Sequence, residues 1–252
     1  MQTQRANGSR LRISRGEGMY TRSFSAMFSA VRLLFKSWRV LFVLLLLWAG
    51  LLTAVYLFAS TREATISQLV LTLGVVIAAP ALFFVLQALS VSYAEGQVSG
   101  SRVKKLMSDC LRLVVVSLPV LGLTLLAVYG LGKVQTHLTL ATTLRYLLIG
   151  LVVPMLTIQL WIATTNTGFR LLAKGLRGVV SKTFAPQSVF VYGCGFVIFA
   201  VIPYVLLQVG PLIERPWLEL SVLVARMTVS ALLILLGWVT TVGAMSILSR
   251  TK

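Results

Sequence analysis

The stretch VLFVLLLLWAGLLTAVYLFAST, residues 40–61, runs for 22 positions without an Asp, Glu, Lys, Arg or His. A helix needs roughly 20 residues to cross about 30 Å of hydrocarbon, and a charge at its centre costs about 2.5–3.5 kcal/mol on insertion scales. The stretch therefore reads as a membrane span. Its apolar run is longer than the core of a secretory signal and follows a 39-residue basic segment, so it is expected to act as an uncleaved anchor.

The same reading extends along the chain. Five further charge-free gaps fall at 64–94, 113–132, 146–169, 183–213 and 227–249, with lengths of 31, 20, 24, 31 and 23 residues. Removing their polar margins predicts spans at 40–59, 69–91, 113–132, 146–163, 189–209 and 227–248. Of the 252 residues, 58% are apolar and 12% charged, too little surface chemistry for a water-soluble globule. The 19 glycines suit helices that pack closely in lipid. The expected fold is all-α: a polytopic membrane bundle of six transmembrane helices with short amphipathic cytoplasmic helices.

Twenty-three basic residues against six acidic give a formal charge of +17, which on a soluble chain would point to nucleic acid. Their placement argues for a membrane topology instead. With the N-terminus inside, 18 Lys and Arg fall in the inner segments and five outside, while the acids divide three and three. Only the basic residues are biased, as the positive-inside rule requires. The expectation is a multi-pass protein of a bacterial-type cytoplasmic (inner) membrane with both termini cytoplasmic and no nucleic-acid partner. It divides into a disordered basic tail (1–18), an amphipathic interfacial helix (19–39), the membrane domain (40–249) and a short cytoplasmic C-terminus (250–252).

Three inner-face segments are amphipathic. In the first, Tyr20, Phe24, Met27, Phe28, Val31, Leu34, Phe35 and Trp38 recur at helical spacing, with Arg22, Arg32, Lys36 and Arg39 between them. The second sets Val103, Leu106, Met107, Cys110 and Leu111 against Arg102, Lys105, Asp109 and Arg112, with Lys104 beside them. A third sets Phe169, Leu172, Leu176, Val179 and Val180 against Arg170, Lys174 and Arg177, with Lys182 following. Such segments can hold anionic lipid headgroups or an acidic protein partner. Plain topological anchoring accounts for the same charges. The headgroup candidates are Arg22, Arg32, Lys36, Arg39, Lys104, Lys105, Arg170, Lys174, Arg177 and Lys182.

The span interiors hold no ionisable side chain beyond thiols and phenols, which removes the usual marker of a proton or ion pathway. Pro80, Pro119, Pro154 and Pro203 permit kinks, and Gln87 and Gln159 are the candidates for lining a cavity. Interhelical hydrogen bonding is the competing role for those amides. The Tyr192-Gly193-Cys194-Gly195 run is expected to allow close helix approach. His137, Cys110 and Cys194 are too dispersed for a thiol–histidine pair or metal cluster, and no phosphate-cradling loop is present.

The expected function is accordingly non-enzymatic and free of cofactors: membrane organisation or assembly through anionic lipids, a partner protein or a second copy. The alternative is a permease or lipid-handling transporter for a neutral or amphiphilic solute. A green fluorescent protein fused after Lys252 should fluoresce, and alkaline phosphatase at the same position should stay inactive. The reverse pair of results would overturn the topology.

Overall fold

A computed structural model describes residues 18–61, 65–95, 103–133, 138–208 and 216–250, and every element among them is helical. The predicted tail, 1–18, lies outside these residues except for Gly18, as do residues 251 and 252. The chain runs α1 (Met19–Lys36), α2 (Trp38–Ser60), α3 (Ile66–Ser92), a 3-10 turn (Tyr93–Glu95) and α4 (Val103–Lys133). It continues through α5 (Leu138–Leu147), α6 (Val153–Thr183), α7 (Pro186–Phe196), α8 (Ile202–Gln208) and α9 (Pro216–Arg250). Two π-helical turns, Leu148–Val152 and Val197–Val201, join α5 to α6 and α7 to α8.

Six stretches are long and apolar enough to cross a membrane: Trp38–Ser60, Ile66–Ser92, Lys105–Lys133, Thr139–Asn166, Pro186–Gln208 and Trp217–Arg250. The count matches the charge-gap reading, but the fourth stretch begins seven residues earlier than residue 146. Arg145 does not break the helix there. Its guanidinium lies against Gly132 of α4, where a Cβ would collide with it. The absence of a side chain lets a charge sit inside a helix that the gap reading ended at it.

Sequence sets the helix ends locally. Ser37, at φ −99° and ψ 59°, breaks α1 from α2, and its hydroxyl donates to the Leu33 carbonyl at 2.7 Å. At the start of α3, Thr65 Oγ1 accepts from the Gln68 N–H while Gln68 Oε1 accepts from the Thr65 N–H, a capping box. Pro186 opens α7 at a position where its missing N–H leaves no helical bond unmade.

The core gathers at one end of the bundle, the base, where α1 docks, α2 and α7 begin, and α9 finishes. There α9 is the central post: Thr241, Val242, Gly243, Ala244, Met245 and Ser246 are buried in succession, so neighbours close around the whole circumference. Small residues make this possible. A Cβ on Gly237 would meet the Phe199 backbone N at 3.1 Å, one on Gly195 would run into Thr241, and one on Gly243 into the Tyr93 phenol. The predicted close approach in the 192–195 run thus rests on Gly195, since a Cβ on Gly193 would meet nothing within 4 Å. Tyr93 crosses Gly243 to donate to the Val239 carbonyl at 3.1 Å, and its burial pushes the phenol well above its usual range. Away from the base the helices spread an apolar surface outward, with Leu73, Leu123, Leu126 and Tyr146 each more than half exposed.

Each π-turn ends just before a proline: LIGLV precedes Val153-Pro154 and VIFAV precedes Ile202-Pro203. Proline brings no N–H and crowds the carbonyl four residues back, so the helix widens to a bond spanning five residues, from the Val153 N–H to the Leu148 carbonyl. Gly150 is the residue that an N–H at 154 would have served. Its carbonyl instead accepts from the buried Tyr192 hydroxyl at 2.7 Å, which ties α7 to the kink. Tyr192→Phe should lower unfolding free energy by about 1–3 kcal/mol, because it strands a desolvated carbonyl. In a Pro154→Ala background, where the ladder can re-form, the same change should cost well under half as much. Equal costs in the two backgrounds, measured by detergent-denaturant unfolding, would sink this coupling.

Candidate functional site

α1 presents three sides. At about 100° per residue, Ser23, Ala26, Ala30 and Leu34 fall on one arc, and all four are buried against the bundle, chiefly α9. Tyr20, Phe24, Phe28, Val31 and Phe35 fall on a second arc and are exposed, Phe28 at 72%, and the exposed Trp38 opens α2 beyond the Ser37 break. Arg32 and Lys36 are exposed on the third, with the half-buried Arg22 at its edge, and the exposed Arg39 follows in the first turn of α2. Tyr20 and Phe24 lean edge-on against Phe190 of α7, both at 5.3 Å, and the Arg39 guanidinium lies 5.9 Å from the Trp38 ring centre. The single apolar face expected from the sequence is therefore split: Leu34 docks with the small residues while the large rings point away. The Ser23-Ala26-Ala30 spacing was the available signal for the docking side.

At the second segment, α4 is one continuous helix, and Leu106, Asp109, Cys110 and Leu113 form its inward stripe. Asp109, assigned to the outward side by composition, is buried with Arg112 Nη1 3.5 Å from its Oδ1. Lys105 is exposed, and the Lys104 side chain lies outside the described part.

The third segment belongs to α6, which folds at Gly168. This residue sits at φ 71° and ψ 173°, open to glycine and strained for other residues. Beyond it the arm 169–183 turns so that Val179 packs with Leu160 and Val116. Arg177 and Leu176 face outward, and the side chains of Arg170 and Lys174 lie outside the described part. Between the two arms and the end of α9 lies a cavity of about 400 Å³, with Gln159, Ile162 and Val179 as its buried wall and Lys182 beside them. Asn166 and Arg250 form the exposed rim, where Arg250 Nη2 donates to Asn166 Oδ1 at 3.3 Å. Gln159 is 3% exposed and makes no hydrogen bond among the described residues.

Gln87 stands in a different setting. It is 2% exposed, outside the lining of this cavity, and its Oε1 accepts from Trp238 Nε1 at 2.7 Å, linking α3 to α9. Trp161 makes a parallel link from α6 to α4, donating to Ser117 Oγ at 2.9 Å. The hydroxyls of Ser90, Thr164, Thr165, Thr240 and Thr241 return to carbonyls of their own helices. Cys110 and Cys194 are free thiols, and His137 lies outside the described residues.

No family model matches this chain, and no curated protein or solved structure matches it either.

The Gly168 turn seats the arm that walls the cavity. Gly168→Val should cost about 1–3 kcal/mol through backbone strain and speed tryptic cleavage at Arg177 by releasing the arm. Unchanged stability together with unchanged cleavage would remove the turn from the site's construction.

Proposed function

We propose that this is a non-enzymatic protein of a bacterial-type cytoplasmic membrane that organises or assembles membrane components by holding anionic lipid at its basic face. The observation that carries this reading is the three-sided α1. A helix buried on one arc, aromatic on the next and cationic on the third suits a seat where bundle, acyl chains and headgroups meet. Its docking arc fixes which way the other two point, so the rings are held out by packing instead of turning inward. The positive-inside count sets this face toward the cytoplasm, where anionic headgroups are attracted to clustered Lys and Arg at about 1 kcal/mol per residue.

An acidic protein or a second copy would use the same charges, but the exposed ring stripe beside them favours a lipid surface. The permease reading now draws mainly on Gln159, because the Gln87 acceptor is engaged by Trp238.

The test uses the full chain in phosphatidylglycerol-containing nanodiscs, with both cysteines replaced and a spin label at position 28 or 32. The label at 28 should be reached better by oxygen than by a polar nickel chelate, and the label at 32 the reverse. Replacing Arg32, Lys36 and Arg39 together by Gln should cut co-purified phosphatidylglycerol several-fold. Equal accessibilities at the two positions, with lipid retention unchanged, would refute the assignment.

A further inference from the structure

We propose that the cavity between the two arms of α6 and the end of α9 binds a phosphate-bearing anion. The floor supplies the first reason. Gln159 is buried to 97%, lines the cavity and makes no hydrogen bond among the described residues. With no protein partner for its NH₂ among the described residues, a group that enters the cavity can accept from it. Charge supplies the second. Lys182 on the wall and Arg250 at the rim bring two cations to one cavity, and no Asp or Glu is among its described lining residues. Asn166 holds the Arg250 guanidinium through its Oδ1, while the Ser249 hydroxyl donates to the Ser246 carbonyl at 2.8 Å.

Shape narrows the ligand further. About 400 Å³ falls within the range of small-molecule sites, roughly 300–1,000 Å³, and exceeds what a bare phosphate would fill. Ile162 and Val179 give the wall an apolar part. The matching chemistry is a phosphate ester with a short carbon body: oxygens toward Lys182, Arg250 and the Gln159 amide, carbons toward the aliphatic wall. Guanidinium and ammonium groups are the usual partners of such oxygens. Either a phospholipid headgroup or a soluble phosphate ester carries this chemistry. A lipid source rests on the function proposed above, whereas the anion site stands on α6 and α9 alone.

Gly178 provides a variant that blocks the cavity without disturbing its frame. It lines the space, and a Cβ there would meet nothing within 4 Å, so Gly178→Leu fills the cavity while leaving the packed helices in place. Full-length protein in uncharged detergent is titrated with phosphatidylglycerol mixed micelles, phosphatidylcholine mixed micelles, glycerol 3-phosphate and inorganic phosphate. Binding is followed by native mass spectrometry and by the shift in unfolding temperature. Phosphatidylglycerol or glycerol 3-phosphate should bind better than phosphatidylcholine. Lys182→Gln and Gln159→Leu should weaken that binding by about tenfold, and Gly178→Leu should abolish it while unfolding cooperatively.

The variant with Arg32, Lys36 and Arg39 replaced separates the two proposals. If it alone loses phosphatidylglycerol while Lys182→Gln and Gly178→Leu bind as the parent does, the cavity proposal falls and the α1 reading survives. If the cavity variants lose glycerol 3-phosphate and phosphatidylglycerol shows no preference over phosphatidylcholine, the site stands with a soluble ligand and the lipid reading falls. Binding of neither anion by the parent protein overturns the site.

Discussion

Close contact around the last turns of α9 is the constraint on which the base of this bundle depends. In hydrocarbon, helices gain little by hiding apolar side chains from one another, because the acyl tails are as apolar as leucine; backbone proximity and satisfied polar groups supply the difference. The glycines at 195, 237 and 243 supply proximity, and each is opposed by a group that a Cβ would displace. The Tyr93–Val239 and Trp238–Gln87 bonds supply polar satisfaction across the same post. With α9 closed in on every side, α1 is seated on Ser23, Ala26 and Ala30 with Leu34 as the one large side chain among its buried residues. Its aromatic rings then remain available for something other than the core.

Satisfied polar groups also explain how Pro154 is tolerated in a membrane-crossing stretch. A carbonyl freed by proline in lipid must find another donor, since no water reaches it. At Pro154 the π-turn absorbs the geometry and Tyr192 supplies the donor to Gly150. Because Tyr192 also packs edge-on against Phe199, the kink is joined to the aromatic contacts that run from Phe196 to Trp238. The kink is therefore a joint between the fourth and fifth membrane-crossing stretches.

The six crossing stretches were legible in the sequence because one energetic rule governs them: a charge is costly in hydrocarbon, so its absence over about 20 residues marks a span. The rule fails where it meets tertiary structure, as at Arg145, whose helix continues because Gly132 makes room for the guanidinium. Periodicity located α1 but could not divide its apolar side into a docked and an outward arc. Hydrophobicity gives Ser23 little weight, yet it is fully buried on the docked arc. Gln87 and Gln159 looked alike in the sequence, each an amide among apolar residues. Only the fold distinguishes them, by placing Trp238 against one and a cavity beside the other.

The cations of the basic face fall into two physical situations. On α1 they stand outward from a docked helix, where their attraction for a surface is diffuse, weakened by salt and additive over several side chains. Lys182 instead borders a recess with a buried amide, and Arg250 at its rim is held by Asn166, so less side-chain freedom remains to be lost when an anion is engaged. The first arrangement suits attachment to a charged surface with little discrimination among headgroups. The second suits recognition of one headgroup shape. Gly168 connects them: by folding α6 back, it turns part of a basic amphipathic segment from a surface into a wall, so the shape of the recess depends on a backbone conformation that favours glycine.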